Sequence, residues 1–121
     1  MNKYHTVKSS RDFTKIIKNS PYVKNKAFVI YYAKNDIDIY RFGISVSKKI
    51  GNAVCRNRIK RQVRNINDKY KKYYQNGLDY IIIIRNSYVD LNFNEVDEKY
   101  FDLIKNINRN VRKGESHEED K

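Results

Sequence analysis

The sequence predicts an α/β (α+β) fold in which a small sheet packs against helices, with the elements in the order α-β-β-α-β-α. Two short apolar runs, 27–33 and 80–84, are rich in β-branched and aromatic residues, as buried strands are. Residues 40–47 alternate between apolar and polar side chains, which is typical of a strand with one buried face. Three further segments carry apolar residues at helical spacing. Packing helices against one sheet buries all of these side chains together.

The first element is a short helix over about residues 10–18. Its apolar residues begin at Phe13 and follow the spacing of one helix face. Pro21 ends the helix, because proline disfavours helical geometry in the residue before it. The run 27–33 follows and is apolar on both faces, which predicts an interior strand.

The longest helix extends over about residues 52–74. Gly51 separates it from the strand pattern 40–47, and the pair Asn76-Gly77 terminates it. Its apolar residues lie within an arc of about 80° if each residue turns the helix by about 100°. The residues of this predicted buried arc are Ile59, Val63, Ile66, Tyr70 and Tyr73.

The remaining elements are the buried strand 80–84 and a final helix over about residues 94–113. Acidic residues near the start of this helix and basic residues near its end both suit the helix dipole. One further short strand fits in the segments between the elements. We therefore expect a single domain over residues 1–113, followed by an acidic, disordered tail over 114–121.

The charge of the chain favours polyanionic partners. It has 26 lysines and arginines against 14 aspartates and glutamates in 121 residues, a formal net charge of +12. The last eight residues hold four acids and one lysine, a net of −3, so residues 1–113 carry +15. Such a field favours RNA, DNA or anionic lipid and disfavours cationic substrates.

Several classes of protein are excluded. The longest apolar run, 27–33, is far shorter than the roughly 20 residues of a membrane helix, and the N-terminus has no secretory signal. A single cysteine, Cys55, cannot form an internal disulfide, which suits a cytoplasmic protein. His5 and His117 are too far apart in the chain for an ordinary zinc site. The acids are scattered, so we assign no catalytic and no metal-ligating residues.

Residues 41–64 hold the most informative pattern, with eight positive residues and no acid. Lys60 and Arg64 are like charges at i, i+4, an arrangement that costs about 0.2–0.5 kcal/mol in an isolated helix. Four arginines lie between residues 56 and 64, and guanidinium groups bind phosphate oxygens with two parallel hydrogen bonds. A solvated cationic surface is the alternative, but such surfaces ordinarily mix charges of both signs. The pattern therefore predicts a helix that binds a polyanion.

The stretch 43–61, GISVSKKIGNAVCRNRIKR, resembles the signature of the bacterial ribonuclease P protein subunit. That family carries an Arg-Asn-Arg motif where its long helix begins, followed by Lys-Arg and a further Arg. Residues 56–58, 60–61 and Arg64 match this motif residue by residue. The resemblance extends over about residues 4–112, through the first helix, the first strand and the late Ile-rich strand.

The resemblance implies a two-layer sandwich with the basic helix in a left-handed crossover between two parallel strands, although crossovers are usually right-handed. It also implies that a large RNA subunit binds most of the Mg²⁺ and performs the hydrolysis of precursor tRNA that releases the 5′ leader, while the protein helps to bind the metal ions that this RNA needs. The protein would be the accessory subunit of this endoribonuclease and would bind both RNAs. We expect it to be cytoplasmic, free of membranes and monomeric on its own.

This hypothesis assigns two groups of residues. The catalytic RNA is bound by Lys48, Lys49, Asn52, Arg56, Asn57, Arg58, Lys60, Arg61 and Arg64. The 5′ leader lies in a cleft between the first helix and the sheet, lined by Phe13, Ile17, Val29 and Tyr31. A base stacked on an aromatic ring contributes about 1–3 kcal/mol. The family often has an aromatic residue where this chain has Ile17, so we expect stacking at Tyr31 and, unless it is a core residue, at Phe13.

The residues alone leave other functions open. A ribosomal or RNA-chaperone protein would share the basic helix without a leader cleft, and a protein-only nuclease would cleave without an RNA subunit. Reading of duplex DNA is less consistent with the sequence, because no helix-turn-helix partner precedes the long helix.

The RNA-binding hypothesis has a measurable consequence. If the protein neutralises about six phosphates of the RNA, the logarithm of the association constant should fall with log salt at a slope of about −4 to −5.

Overall fold

Three helices and four strands follow one another along residues 10–119, the part of the chain that the structure, a computed structural model, describes. The helices are α1 (Ser10–Asn19), α2 (Ala53–Lys69) and α3 (Phe93–Glu119). The strands are β1 (Tyr22–Lys24), β2 (Phe28–Lys34), β3 (Arg41–Val46) and β4 (Leu78–Ile84). The predicted α+β class and order of elements are confirmed, with β1 as the additional short strand.

The strands form one mixed sheet in the order β1-β2-β4-β3. β2 pairs antiparallel with β1 and β4, whereas β3 pairs parallel with β4. The apolar strands β2 and β4 are therefore interior, as their composition predicts, and β3 lies at an edge. A parallel pair requires a crossover connection, and α2 supplies it. The left hand of this crossover stays a prediction from the resemblance.

The larger core lies between the sheet and the helices α2 and α3. Alternate residues of the strands point into it, among them Phe28, Phe42 and Tyr80, which are all buried. Tyr100 of α3 packs edge-on against Phe28, with ring centroids 5.2 Å apart. The buried residues of α2 in this core are Ile59, Val63 and Ile66. These two layers form the expected sandwich.

The opposite face of the sheet is partly covered by α1. Ile16 of α1 is buried against Ile81 of β4, and the partly buried Phe13 and Tyr31 pack around them. Successive side chains of a strand point to opposite faces, so β2 and β4 contribute residues both to the larger core and to this smaller one beneath α1. As a result, α1 lies on the side of the sheet away from α2 and α3.

The end of α2 differs from the prediction. The helix ends at Lys69 and a 3₁₀ turn covers Lys71–Tyr73, whereas the apolar spacing predicts a continuous helix to residue 74. Two tertiary contacts redirect the chain: Tyr70 stacks on Phe101 with ring centroids 4.5 Å apart, and Tyr74 enters the larger core. Tyr73 consequently leaves the predicted buried arc, and its side chain is 37% exposed.

The final helix is longer than predicted. Asn92 and Glu95 form a capping box at its start, with side chain to backbone hydrogen bonds of 2.9 and 3.0 Å. α3 continues to Glu119, so residues 114–119, predicted to be disordered, are helical, and residues 120–121 lie outside the described residues. Gly114 lies within the helix, because one glycine weakens a helix by about 1 kcal/mol without ending it. In the described part of the chain, no helix is both long and apolar enough to cross a membrane.

Candidate nucleic-acid interface

Two side-chain caps set the direction of α2 at the end of β3. Ser47 Oγ accepts a hydrogen bond from the backbone N–H of Lys49 at 3.1 Å, where the 3₁₀ turn Lys48–Ile50 begins. Asn52 Oδ1 then accepts one from the backbone N–H of Cys55 at 2.9 Å and caps α2. The side-chain oxygen of Asn52 is thus occupied by the cap, and its NH₂ group is the part available for the predicted RNA contact.

The predicted RNA-binding residues lie on the solvent side of this turn and of α2. Seven of the nine are exposed, and Arg56 and Lys60 are partly buried. The exposed members are Lys48, Lys49, Asn52, Asn57, Arg58, Arg61 and Arg64. The apolar side of the helix packs on the core, which fixes the backbone that carries these cations. Their contact with RNA stays a prediction.

The side chains of α2 do not all point in one direction. At about 100° per residue, Asn57, Arg61 and Arg64 fall within about 60° of one another. Arg56 and Arg58 are two residues apart and therefore lie about 200° apart, on the two flanks of the helix. The Nε of Arg56 is buried and has no hydrogen-bond partner among the described residues. α2 therefore presents cations over more than half of its circumference, which suits a partner that contacts it from two sides.

Acidic side chains do not neutralise these cations within the described residues. The ion pairs found there are Arg41–Asp79, Lys69–Asp97, Lys71–Asp68 and Lys105–Asp102. None of them includes a residue of the predicted RNA-binding group. The like charges between Arg56 and Arg64 therefore repel one another, and a bound polyanion would relieve that repulsion.

Arg41, the first cation of the basic segment, is used inside the protein. Its Nε and Nη2 donate to the two carboxylate oxygens of the buried Asp79 at 2.8 and 2.6 Å. Asn35 Nδ2 donates to the same carboxylate at 2.8 Å and to the Ile39 carbonyl at 3.1 Å. This bidentate pair fixes the loop that leads into β3. Arg41 is thus separate from the cations of α2.

The predicted leader cleft lies on the other face of the sheet. Val29 and Tyr31 of β2 point to the side of α1 and are partly buried, and Phe13 packs in from α1. Ile17 of α1 is 37% exposed. The structure therefore brings all four predicted residues to the same side of the sheet, next to α1. Their contact with a leader stays a prediction.

Tyr22 of β1 is a further candidate that the sequence analysis missed. It pairs with Tyr31 across the sheet, with ring centroids 5.2 Å apart, and it is 50% exposed. Lys24 points to the same face and is exposed as well. A strand of three residues is too short to show an alternating pattern. The aromatic Tyr22 and the cationic Lys24, two positions apart, could nevertheless have indicated a surface that contacts RNA. β1 adds a ring and a positive charge beside the cleft.

The described residues contain no group of three or more His, Cys, Asp or Glu side chains that could hold a metal ion. Two of the less exposed acids already accept hydrogen bonds from other side chains. Asp79 is bound by Arg41, and Asp97 is bound by Lys69 and Tyr70. The carboxylates of Asp79 and Asp97 are therefore engaged by other side chains of the protein.

Comparison with known proteins identifies the family. The family model described as Ribonuclease P matches residues 1–108. The ribonuclease P protein component of Mesoplasma florum is 42% identical over 99 residues, which cover 81% of this chain and 90% of that relative. The corresponding protein of Macrococcus caseolyticus is 41% identical over 115 residues, covering 92% of this chain and 99% of its own length.

Solved structures show the same fold. A mutant of the RNase P protein of Staphylococcus aureus matches with a TM-score of 0.82 at 36% identity, covering 88% of this chain and 90% of that one. The RNase P protein of Thermotoga maritima matches with a TM-score of 0.76 at 34% identity, covering 84% of this chain and 96% of that one. The Arg-Asn-Arg helix, the mixed sheet and these likenesses agree, and the chain belongs to the family of ribonuclease P protein components.

Proposed function

We propose that this ribonuclease P protein component binds the catalytic RNA through the cations of α2 and the 5′ leader of precursor tRNA in the cleft beside α1. The RNA subunit holds Mg²⁺ and performs the endonucleolytic hydrolysis, while the protein orients the two RNAs. The protein works in the cytoplasm and is a monomer before it assembles with its RNA partner.

The observation that carries this proposal is the row of cations between Arg56 and Arg64 on α2, none of which forms an ion pair with a described residue. Guanidinium groups bind phosphate oxygens in a bidentate manner. Such directional bonds suit the fixed phosphates of a folded RNA better than mobile counterions in solution. The amides of Asn52 and Asn57 are placed among these cations and can contact ribose hydroxyls or base edges. Family membership favours this function over that of a ribosomal or RNA-chaperone protein.

The sheet supports a division of labour between two surfaces. α2 packs on the face of the larger core, and the cleft lies on the face covered by α1. An unpaired leader exposes the faces of its bases, and Tyr31, Tyr22 and Phe13 offer rings on which such bases can stack. Changes on one surface should therefore leave binding at the other unaffected.

The RNA-binding surface is tested by Arg58→Ala combined with Arg61→Ala, both exposed residues. We expect the double variant to bind the catalytic RNA with a salt slope less negative by about 1.4–1.8, because two phosphate contacts are lost. Lys105→Ala combined with Arg109→Ala removes the same charge from an exposed part of α3 and serves as the control. Equal slopes for the two double variants would contradict an RNA site on α2.

The cleft is tested in the same assembly by Tyr31→Ala, with Tyr31→Phe as the control that keeps the ring. We expect the alanine variant to bind precursor tRNA about 5- to 100-fold more weakly, while its affinity for tRNA without a leader and for the catalytic RNA is unchanged. Equal losses with and without the leader would count against the cleft. Cleavage by the chain without its RNA would instead support a protein-only nuclease.

A further inference from the structure

A second cationic surface lies just beyond the C-terminal end of α2. A groove of about 390 Å³ opens there between the 3₁₀ turn Lys71–Tyr73 and α3. It is lined by Lys72, Tyr73, Tyr74, Gln75, Asn108, Val111 and Arg112. Two of these residues are cations and none is an acid, so the groove favours an anionic ligand. Its volume lies in the range of about 300–1,000 Å³ that is typical of ligand sites.

The floor of this groove is a fixed pair of amides. Gln75 Nε2 donates to Asn108 Oδ1 at 2.9 Å, and Asn108 Nδ2 donates to the backbone carbonyl of Tyr73 at 3.0 Å. Each NH₂ group therefore retains one N–H, and the side-chain oxygen of Gln75 has no hydrogen bond to another described residue. Donors and an acceptor held in this way can recognise a base edge or a ribose hydroxyl.

The wall of the groove is aromatic and cationic. Tyr73 is held by a T-shaped contact with Phe101, with centroids 4.9 Å apart, yet it is 37% exposed. The ammonium group of Lys72 lies 5.6 Å from the centroid of the Tyr73 ring, and Arg112 is exposed on the facing helix. A base stacked on Tyr73 would thus bring its phosphates into the groove that Lys72 and Arg112 both line.

We propose that this groove binds one nucleotide of an unpaired RNA segment, with the base on Tyr73, the phosphates near Lys72 and Arg112, and the amides on the base edge or ribose. The inference rests on the proposed RNA-binding function and extends the RNA contact past the C-terminal end of α2. The groove starts three residues after Lys69, so one RNA can contact α2 and the groove together.

An RNA fits this surface better than a protein does. Val111 is the one aliphatic residue in the lining, so the groove offers little of the apolar surface that forms the centre of a protein–protein interface. An isolated anion would use the two cations but would have no use for the ring and the amides. Single-stranded RNA uses all three features, since phosphates, base faces and base edges are exposed together.

The test compares Lys72→Ala combined with Arg112→Ala against the charge-matched control Lys105→Ala combined with Arg109→Ala. Affinity is measured over a salt series for two ligands: the catalytic RNA with the free protein, and precursor tRNA with the assembled ribonucleoprotein. We expect the groove variant to reduce the salt slope by about 1.4–1.8 for one of these ligands, and the control to reduce it by less than about 0.5. The ligand that responds identifies the source of the RNA segment.

Stacking is tested by Tyr73→Ala and Tyr73→Phe, with thermal unfolding as a check that both variants fold. We expect the alanine variant to bind about tenfold more weakly and the phenylalanine variant to bind within about twofold of the unmodified chain. A photoreactive benzoylphenylalanine at position 73 should crosslink to unpaired nucleotides more efficiently than the same group at Phe93, which is 52% exposed elsewhere on α3.

Two results would overturn the inference. The first is that groove and control variants bind both RNAs alike while Arg58→Ala with Arg61→Ala still weakens binding, since this leaves the proposed function standing without the groove. The second is that Tyr73→Ala changes self-association of the protein and leaves RNA affinity unchanged, which would assign the groove to a protein contact. If the α2 variant also has no effect, the proposed function itself is contradicted.

Discussion

Gly43 of β3 sets the distance between α1 and the sheet. A Cβ atom added at this position would lie 2.4 Å from Cζ of Phe13 and 2.6 Å from its Cε2. We expect Gly43→Ala to lower the free energy of unfolding by about 1–3 kcal/mol, because the Phe13 ring must leave its place against Ile81. Equilibrium unfolding in urea measures the loss.

A second substitution separates this contact from other effects of alanine in a strand. Phe13→Leu removes the far end of the ring, so Gly43→Ala should cost less when it is made in that background. The coupling free energy is calculated from the stabilities of the unmodified chain, the two single variants and the double variant, and it measures the clash directly. Strictly additive losses would show that the ring and Gly43 do not interact.

Single residues were predictable where the signal is local. The burial of Ile59, Val63 and Ile66 follows from their spacing along one helix. The ion pair of Arg41 with the buried Asp79 was not predictable, because these residues are 38 positions apart and meet through the register of β3 on β4. The cations of α2 were predictable as a group, whereas the groove next to Tyr73 depends on how α3 packs.

At the scale of elements, one carboxylate ties the end of α2 to α3. Asp97 accepts a hydrogen bond from Lys69 Nζ at 2.9 Å and another from the Tyr70 hydroxyl. Burial acts to raise the pKa of Asp97, but the two hydrogen bonds outweigh it, and the pKa is lower than the ordinary value. The charged form is thus favoured in the folded state. Its contribution is complete above the unfolded pKa of about 4 and is lost as the pH falls through the folded pKa.

We expect Asp97→Asn to lower the free energy of unfolding by about 1–3 kcal/mol at neutral pH, since two bonds to a charged acceptor are weakened. The difference from the unmodified chain should shrink as the pH falls below about 4. Urea unfolding at a series of pH values measures it. Asp102→Asn on the same helix is the matched control, because the exposed Asp102 is 3.7 Å from Lys105 and contributes little. A gap that stays constant with pH would contradict this role of Asp97.

Elements were predictable where composition and period agree over many residues, as in β2 and β4. The end of α2 was not, because Tyr70 and Tyr73 continue the helical spacing while the chain turns to place Tyr70 on Phe101. Local pattern and tertiary contact conflict there, and the tertiary contact prevails. β1 could not be located as a strand for the opposite reason, since three residues are too few to show an alternating pattern.

At the scale of the whole molecule, the arrangement of surfaces depends on the strand order β1-β2-β4-β3. Periodicity identifies each strand and says nothing about which strands are neighbours, so the order had to come from the structure. The order places the cleft and α2 on opposite faces of the sheet. The resemblance implied a cleft beside the first helix, and it is this topology that makes the two proposed RNA contacts independent.

The same packing makes the fold sensitive to alkali. Tyr74 and Tyr100 hydrogen-bond to each other in the larger core, and burial raises the pKa of both well above the ordinary value. Burial also raises the pKa of Tyr80 and of Tyr88 to about 12. The unfolded chain releases these protons near pH 10. Because the folded pKa values are the higher ones, the stability that the neutral phenols provide is complete below about pH 10 and is lost as the pH rises towards 12.

We expect the protein to unfold cooperatively between about pH 10 and 12, with the buried tyrosines ionising as the fold is lost. The chain has 11 tyrosines and no tryptophan, so near-ultraviolet absorbance follows tyrosinate directly, and circular dichroism follows the fold in the same samples. In concentrated urea all 11 should titrate together near pH 10. Titration of every tyrosine near pH 10 with the circular dichroism unchanged would show that these four phenols are open to solvent, which the packing of α3 on the sheet does not permit.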